Sequence, residues 1–183
     1  TMIVLVKDYF DMEIIGKTID DAAGEAFDKI GKIFDLDYPA GPIIDKLAKE
    51  GNPDAFQFNK PRMEHYDYSF SGIKTSVLYF IQKEVRKNPD FIKENLNDLC
   101  ASVQKSIIEI LMNKLEKASV DLNIKDVAIA GGVSANSALR KAMEHNQEKL
   151  GWNIFIPKFE YTTDNAAMIA MVAKLKYERG EFT

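Results

Sequence analysis

A strand that runs into two glycines and straight on into a helix constrains this chain more than any other feature. The stretch "AIAGGVSANSALRKAM", Ala128 to Met143, is apolar, then bare of side chains, then amphipathic. Such a junction belongs to folds in which strands alternate with helices, because neighbouring parallel strands need a long crossover between them. Glycines at the foot of a helix let a backbone approach a ligand, and the helix N-terminus adds partial positive charge. Ser134 and Asn136 stand where they can cap that helix or contact a nucleotide. By themselves the glycines leave two readings open, a phosphate or nucleotide cradle and a tight turn with no ligand.

The rest of the chain supplies the frame. "MIVLVKDYF" and "MEIIGKTI" read as two strands of a hairpin with a polar turn around Asp11. From Asp20 the period changes. Ala22, Ala23, Ala26, Phe27, Ile30, Ile33 and Phe34 recur at helical spacing, which predicts a helix over Asp21 to Phe34. "LDYPAGPIIDKLAKEG" is a Pro/Gly turn feeding a second helix, with Pro42 at its first position and Gly51 at its end. "NPDAFQFNKPRMEHYDY" has little periodicity and reads as an irregular excursion. Ile73, Val77, Phe80, Ile81 and Val85 share one helical face, and a long helix or a pair of helices covers Pro89 to Val120. "DVAIAGG" then reads as a buried strand, Ser134 to Leu150 as a helix, "NIFIP" as a strand and Asn165 to Arg179 as the last helix. A hairpin, a block of helices, then strand–helix–strand–helix is an α/β order with a mixed sheet.

Composition narrows the classes. The chain has 183 residues, one ordinary domain or one large lobe of something bigger. It opens on a strand, "TMIVLVKDYF", with no cap or leader before it, which is expected of a fragment. Its net charge of −4 makes the surface as a whole unattractive to nucleic acid, so RNA contact needs a local patch or a partner. The cations are scattered: Lys83, Arg86 and Lys87 end one helix, Arg140 and Lys141 lie on another, and Lys174, Lys176 and Arg179 on the last. A single cysteine rules out an intramolecular disulfide, and Cys100 sits at helical spacing among Leu96, Leu99 and Val103, as a core residue does. No apolar run approaches membrane-spanning length, so the expectation is no membrane and a reducing cytoplasm.

Three further stretches carry chemical groups. "DDAAGEAFDK" places Asp21, Glu25 and Asp28 within two turns of one predicted helix, a spacing that puts these carboxylates on a shared face, and its alanines and Gly24 make that helix thin. Gly41 before Pro42 is either a close-approach turn or connector geometry. Thr162, Thr163 and Asp164 precede the last helix, where Asp164 is an N-cap or a metal ligand. His65 and His145 stand far apart and outside any HxxxH or HExxH spacing, and no Ser/His/Asp or Cys/His arrangement is present.

Taken in order, "IDDAAGEAFDK", "LDYPAGPII", "YSFSGIKT", "AGGVSANSALR" and "TTDNAAMIA" resemble one family over nearly the whole chain. It is the tRNA threonylcarbamoyladenosine transferase family, which also carries the older name O-sialoglycoprotein endopeptidase or glycoprotease. The texture is closer to its bacterial-type branch. The resemblance implies an actin-like, sugar-kinase-like ATPase fold of two lobes with a nucleotide cleft between them. On this reading residues 1–183 are the second lobe, with a mixed sheet and a mainly helical insertion at about 40–122. The first lobe, the phosphate loop and an HxxxH metal pair lie outside the chain. The implied activity moves a threonylcarbamoyl group from threonylcarbamoyl-adenylate to the adenosine next to the tRNA anticodon, with the fragment alone inactive.

Carried over by motif, Asp28, Gly41 and Asn136 contact the adenylate. Asp45 joins them because its position is sometimes acidic in relatives, and Asp164 is the metal ligand from this lobe. The implied cofactor is one divalent metal per full-length subunit, iron by resemblance, with zinc and magnesium as alternatives. The implied partners are threonylcarbamoyl-adenylate, tRNA and a protein complex that includes a paralogous pseudo-enzyme and a small ATPase. Ala40 departs from the glycine common at its position, a tolerable change if Gly41 makes the close contact. A sugar- or acetate-kinase-like lobe and a non-catalytic dimerisation module compete with this reading, and protease machinery is absent from the sequence.

Overall fold

Alternating apolar residues open the chain as a hairpin, in which β1 (Met2–Asp8) pairs antiparallel with β2 (Asp11–Lys17). The turn is Tyr9 and Phe10, because Asp8 pairs with Asp11 itself and the reversal lies just before that residue. The computed structural model describes residues 1–61 and 63–181. β2 extends through an isolated bridge from Thr18 to Tyr68, where the Ile19 N–H donates to the Tyr68 carbonyl at 3.0 Å.

Helix α1 (Ala23–Ile33) buries Ala23, Ala26, Phe27 and Ile30, the stripe the sequence predicts. It starts at Ala23 rather than Asp21, since the Asp21 carbonyl accepts the Thr18 hydroxyl at 2.7 Å and is turned away from the helix. The three carboxylates therefore do not share one helical face. Lys29 bridges Asp21 at 2.6 Å and Glu25 at 2.8 Å, while Asp28 turns to the next helix.

Helix α2 (Ala40–Ala48) begins two residues before Pro42, which is the third helical residue and not the first. The Asp28 Oδ1 accepts the Ala40 N–H at 2.8 Å and so supplies the partner the helix start lacks. Proline is harmless in this turn because its missing N–H had no intrahelical partner. The two helices touch at Gly31, where any Cβ would overlap the Ala40 Cβ. Gly31→Ala is therefore expected to destabilise the protein by about 1–3 kcal/mol through overpacking. A denaturant midpoint equal to wild type would show instead that α1 and α2 separate freely.

Residues 52–61 and 63–66 run without regular structure along a long helix and are strapped to it. In that order α3 (Ser71–Val85), α4 (Phe91–Glu94) and α5 (Leu96–Asp121) follow. Asp54 pairs with Lys105, Lys60 with Glu109, and the Lys114 ammonium donates to the Met63 carbonyl at 2.6 Å and the His65 carbonyl at 2.8 Å. Ile73 and Val77 of α3 pack with Leu99, Val103 and Ile107 of α5 in the core. Cys100 is fully buried there, and burial pushes its thiol up to about 12.

The last third is strand, helix, strand, helix. β3 (Asp126–Ala128) pairs in parallel with β4 (Asn153–Phe155) across α6 (Ser137–Leu150), and α7 (Ala166–Glu178) closes the described chain. A single 3-10 turn occupies Gly132–Ala135, so α6 starts three residues after Ser134. β3 is not a buried strand, because only Val127 points into the core while Asp126 and Ala128 face solvent. Among the described residues β1 pairs only with β2, and β3 only with β4. Antiparallel and parallel pairing are thus both present, in two separate two-stranded sheets. Helix α7 buries no residue, and Met168, Ile169, Met171 and Val172 are exposed along it.

Candidate nucleotide site

Two hydrogen-bonded links gather four of the five predicted site residues. The first is Asp28 to the Ala40 N–H, which fixes the start of α2 and with it Gly41. The second is Asp45, whose Oδ1 accepts from the Ser137 N–H at 3.1 Å and from the Ser137 hydroxyl at 2.7 Å. Asn136 is the adjacent residue. Its Oδ1 accepts from the Ala138 and Leu139 N–H groups at 3.0 and 3.1 Å, and its Nδ2 donates to Gln104 at 2.7 Å. Asp28 of α1 thus caps α2 and Asn136 caps α6, while Asp45, in the second half of α2, ties that helix to the start of α6.

The glycines serve different purposes. Gly131 has φ +83°, a conformation that excludes an ordinary side chain, and a Cβ on Gly132 would meet nothing within 4 Å. Gly24 faces this loop, since its Cβ position lies 3.5 Å from the Val133 side chain. The thin face of α1 is thus approached partly by the chain itself. Gly41 has room, because a Cβ there would only reach ordinary contact with Phe27 at 3.9 Å. Beside Asp28 the surface opens into a concavity of about 500 Å³, lined also by Glu25, Lys29, Lys32, Leu36, Asp37, Tyr38 and Ala40, while Gly41, Asp45 and Asn136 lie outside its lining. That volume is in the range of small-molecule sites.

Asp164 stands apart from these four. It is exposed, and its carboxylate makes no hydrogen bond or ion pair with any described residue. Asn165 is the cap of α7, accepting the Met168 N–H at 3.2 Å, so the capping role open to Asp164 is taken by its neighbour. Among the described residues no group of three or more His, Cys, Asp or Glu is placed to hold a metal ion. One free carboxylate fits a single ligand of a shared site and no more, since hard and borderline cations need several donors. His65 and His145 are both exposed and take no part.

Two ties escape a reading of the sequence. Asp20 accepts from the Ser69 hydroxyl at 2.6 Å, the Phe70 N–H at 2.8 Å and the Ser71 hydroxyl at 2.7 Å, and so holds the start of α3. Burial alone would raise its carboxyl, but these bonds outweigh burial and keep it below the usual carboxylate range. The stability it supplies is present at neutral pH and drains away as pH falls through its lowered value. The other tie is Arg140. It donates to the Ser134 carbonyl at 2.7 Å and the Pro157 carbonyl at 2.8 Å, and lies 4.2 Å over the Phe159 ring. It braces the glycine loop against the end of β4 and is not a free surface cation.

A protein-family model described as tRNA N6-adenosine threonylcarbamoyltransferase matches residues 1–171. Among curated proteins, the tRNA N6-adenosine threonylcarbamoyltransferase of Riemerella anatipestifer is 83% identical over 182 residues, which is 100% of this chain. The protein of the same name from Porphyromonas gingivalis is 57% identical over 182 residues, and that from Thermosipho africanus 49% over 184, covering 100% and 98% of this chain. These matches take in 53%, 53% and 54% of the three relatives, so the chain spans about half the length of the curated relatives it matches.

Proposed function

The chain belongs to the tRNA N6-adenosine threonylcarbamoyltransferase family, and we propose that it forms the second lobe of an enzyme that transfers threonylcarbamoyl from its adenylate to a tRNA adenosine. The observation that carries this reading is the joining of the "AFDK", "PAGP" and "VSAN" motifs by the Asp28–Ala40 and Asp45–Ser137 bonds. Residues far apart in sequence are thereby held on one frame of α1, α2 and the start of α6, in which Gly41 and the Gly131–Gly132 pair leave bare backbone for an acyl-adenylate.

In this reading the second oxygen of Asp28 accepts a ribose hydroxyl, as acidic residues do in other nucleotide folds. Gly41 and the Gly131–Gly132 pair let the nucleoside lie against the main chain. Asn136 keeps one amide hydrogen beyond its bond to Gln104 for the adenylate, and Asp45, whose second oxygen lies 4.0 Å from the Lys49 ammonium, holds the start of α6 beside it. The adenosine N6 then forms a new C–N bond to the carbamoyl carbon, the bond from that carbon to the phosphate oxygen breaks, AMP leaves and the amine loses a proton. Asp164 contributes one oxygen to a divalent metal, iron by family resemblance, whose other ligands come from the rest of the protein. Such an ion supplies Lewis-acid polarisation of the carbamoyl carbonyl or the adjacent phosphate.

The lobe reading draws support from what the fold leaves uncovered. Met2, Val6, Met12 and Ile14 of the hairpin and the apolar residues of α7 are exposed, and neither sheet exceeds two strands. A two-stranded sheet is marginal alone, and parallel sheets are normally covered on both faces. We place the remaining half of the protein against these surfaces, joining both sheets into one mixed sheet of an actin-like fold, with about 40–122 as its helical insertion. No helix among the described residues is long and apolar enough to cross a membrane. The proposed setting is the cytoplasm, with tRNA held largely by the other half and by partner proteins, including a pseudo-enzyme paralogue and a small ATPase.

The test uses the full-length protein with labelled threonylcarbamoyl-adenylate and unmodified tRNA. Label appearing on tRNA adenosine is the expected result. A sugar- or acetate-kinase-like enzyme would instead move phosphate from γ-labelled ATP to a small acceptor, and that outcome with unlabelled tRNA would overturn the reading.

A further inference from the structure

We infer that Tyr38 is the platform on which the adenine ring of the bound adenylate stacks, an inference that rests on the nucleotide reading above. Tyr38 is 85% exposed, the highest value among the exposed large apolar side chains of the described residues. Its ring stacks on no other ring and lies under no cation there. A lone exposed aromatic is ordinary on a protein surface. The placement of this one is not. It lines the same concavity of about 500 Å³ as Asp28, together with Leu36, Lys29, Lys32, Glu25 and Asp37. Two residues on, the Ala40 N–H is pinned to the Asp28 carboxylate at 2.8 Å, so the ring's point of attachment is fixed relative to that carboxylate.

A nucleoside needs a flat apolar face for its base and an acceptor for its sugar hydroxyls. Tyr38 and the free oxygen of Asp28 provide these in one concavity. Rigid aromatic rings are suited to the first task because few rotatable bonds are frozen when a base settles on them. The phenol hydroxyl is not required for stacking, which separates the ring's role from that of a hydrogen-bonding tyrosine.

The experiment is calorimetric titration of AMP into the full-length protein and its Tyr38→Ala, Tyr38→Phe and Asp28→Ala variants. Tyr38→Ala is expected to raise the AMP dissociation constant by about fivefold to a hundredfold, the range of one base stack. Tyr38→Phe is expected to stay within about twofold of wild type, since the stacking face is kept. Both Tyr38 variants should melt with wild type, because the residue is 85% exposed. AMP binding unchanged in Tyr38→Ala but lost in Asp28→Ala would overturn this inference and leave the nucleotide reading standing. Equal loss in Tyr38→Phe and Tyr38→Ala would assign the effect to the hydroxyl and overturn stacking. Failure of the wild-type protein to bind AMP would overturn the nucleotide reading and this inference with it.

Discussion

Asp164→Ala in the full-length protein is expected to abolish threonylcarbamoyl transfer and to leave the melting temperature where it was. The two halves of that expectation come from the same geometry. Capping by an aspartate is worth about 1 kcal/mol, a visible shift in a melting curve. Here Asn165 accepts the Met168 N–H and Asp164 bonds to no described residue, so removing the Asp164 carboxylate deletes no cap. An exposed acid without a partner has little structural reason to matter. As a metal ligand it matters greatly, because even groups one shell further out cost tenfold to a hundredfold when removed, and the ligand itself should cost about a hundredfold or more. The measurement is transfer rate, metal content and melting temperature on one preparation of each protein. Unchanged metal content in the variant would remove Asp164 from the metal site. Asn165→Ala is the contrasting control, expected to lower the melting temperature by the worth of one cap while metal stays bound.

Legibility in the sequence followed how local the physics was. The stripe of Ala23, Ala26, Phe27 and Ile30 is set by one helix's period, and it stands inside as the spacing says. The strands, the long α5 and the burial of Cys100 were readable for the same reason. What failed was decided across the chain. The start of α1 moved to Ala23 because Thr18 holds the Asp21 carbonyl, and α2 started at Ala40 because a carboxylate twelve residues upstream accepts that N–H. The three-carboxylate face dissolved for the same cause. β3 looked buried because apolar runs usually are, yet burial on both faces needs neighbours that a two-stranded sheet does not have.

The site divides along the same line. The family resemblance pointed to Asp28, Gly41, Asp45, Asn136 and Asp164, but no spacing could say that Asp45 and Asn136 meet through Ser137 across 92 residues of chain. Asp20 and Arg140 were missed because a carboxylate beside a second aspartate, and an arginine on a polar helix face, look solvated until their partners are known. In Asp20's case the hint was there. "IDD" and "YSFSGIKT" each carry polar residues in excess of what a turn needs, and they bond to each other.

The 183-residue chain by itself is expected to carry out no transfer, and to bind AMP at least a hundredfold more weakly than the full-length protein. Tenfold in affinity is about 1.4 kcal/mol, so losing the contacts from one side of a cleft readily costs more than two such steps. The concavity beside Asp28 is open on the surface of this chain, and the proposed metal ligand Asp164 has no companion donors among the described residues. The same chain should also behave as a protein with an unfinished surface. Val6, Met12 and Ile14 on the hairpin, Phe155 at the end of β4, Phe159 beyond it, and Met168, Ile169 and Met171 on α7 are all exposed. Soluble monomers rarely leave contiguous apolar patches beyond a few hundred Å² uncovered. The chain should therefore bind an apolar dye such as ANS and self-associate at concentrations where the full-length protein does neither. Adding the other half as a separate polypeptide should suppress both signals and restore AMP affinity together, because one docking event covers the apolar faces and completes the cleft. AMP affinity in the isolated chain equal to that of the full-length protein would show that the site is complete within these residues. A monodisperse, dye-silent chain would show that its exposed faces need no partner, and either result would defeat the lobe assignment from which this expectation follows.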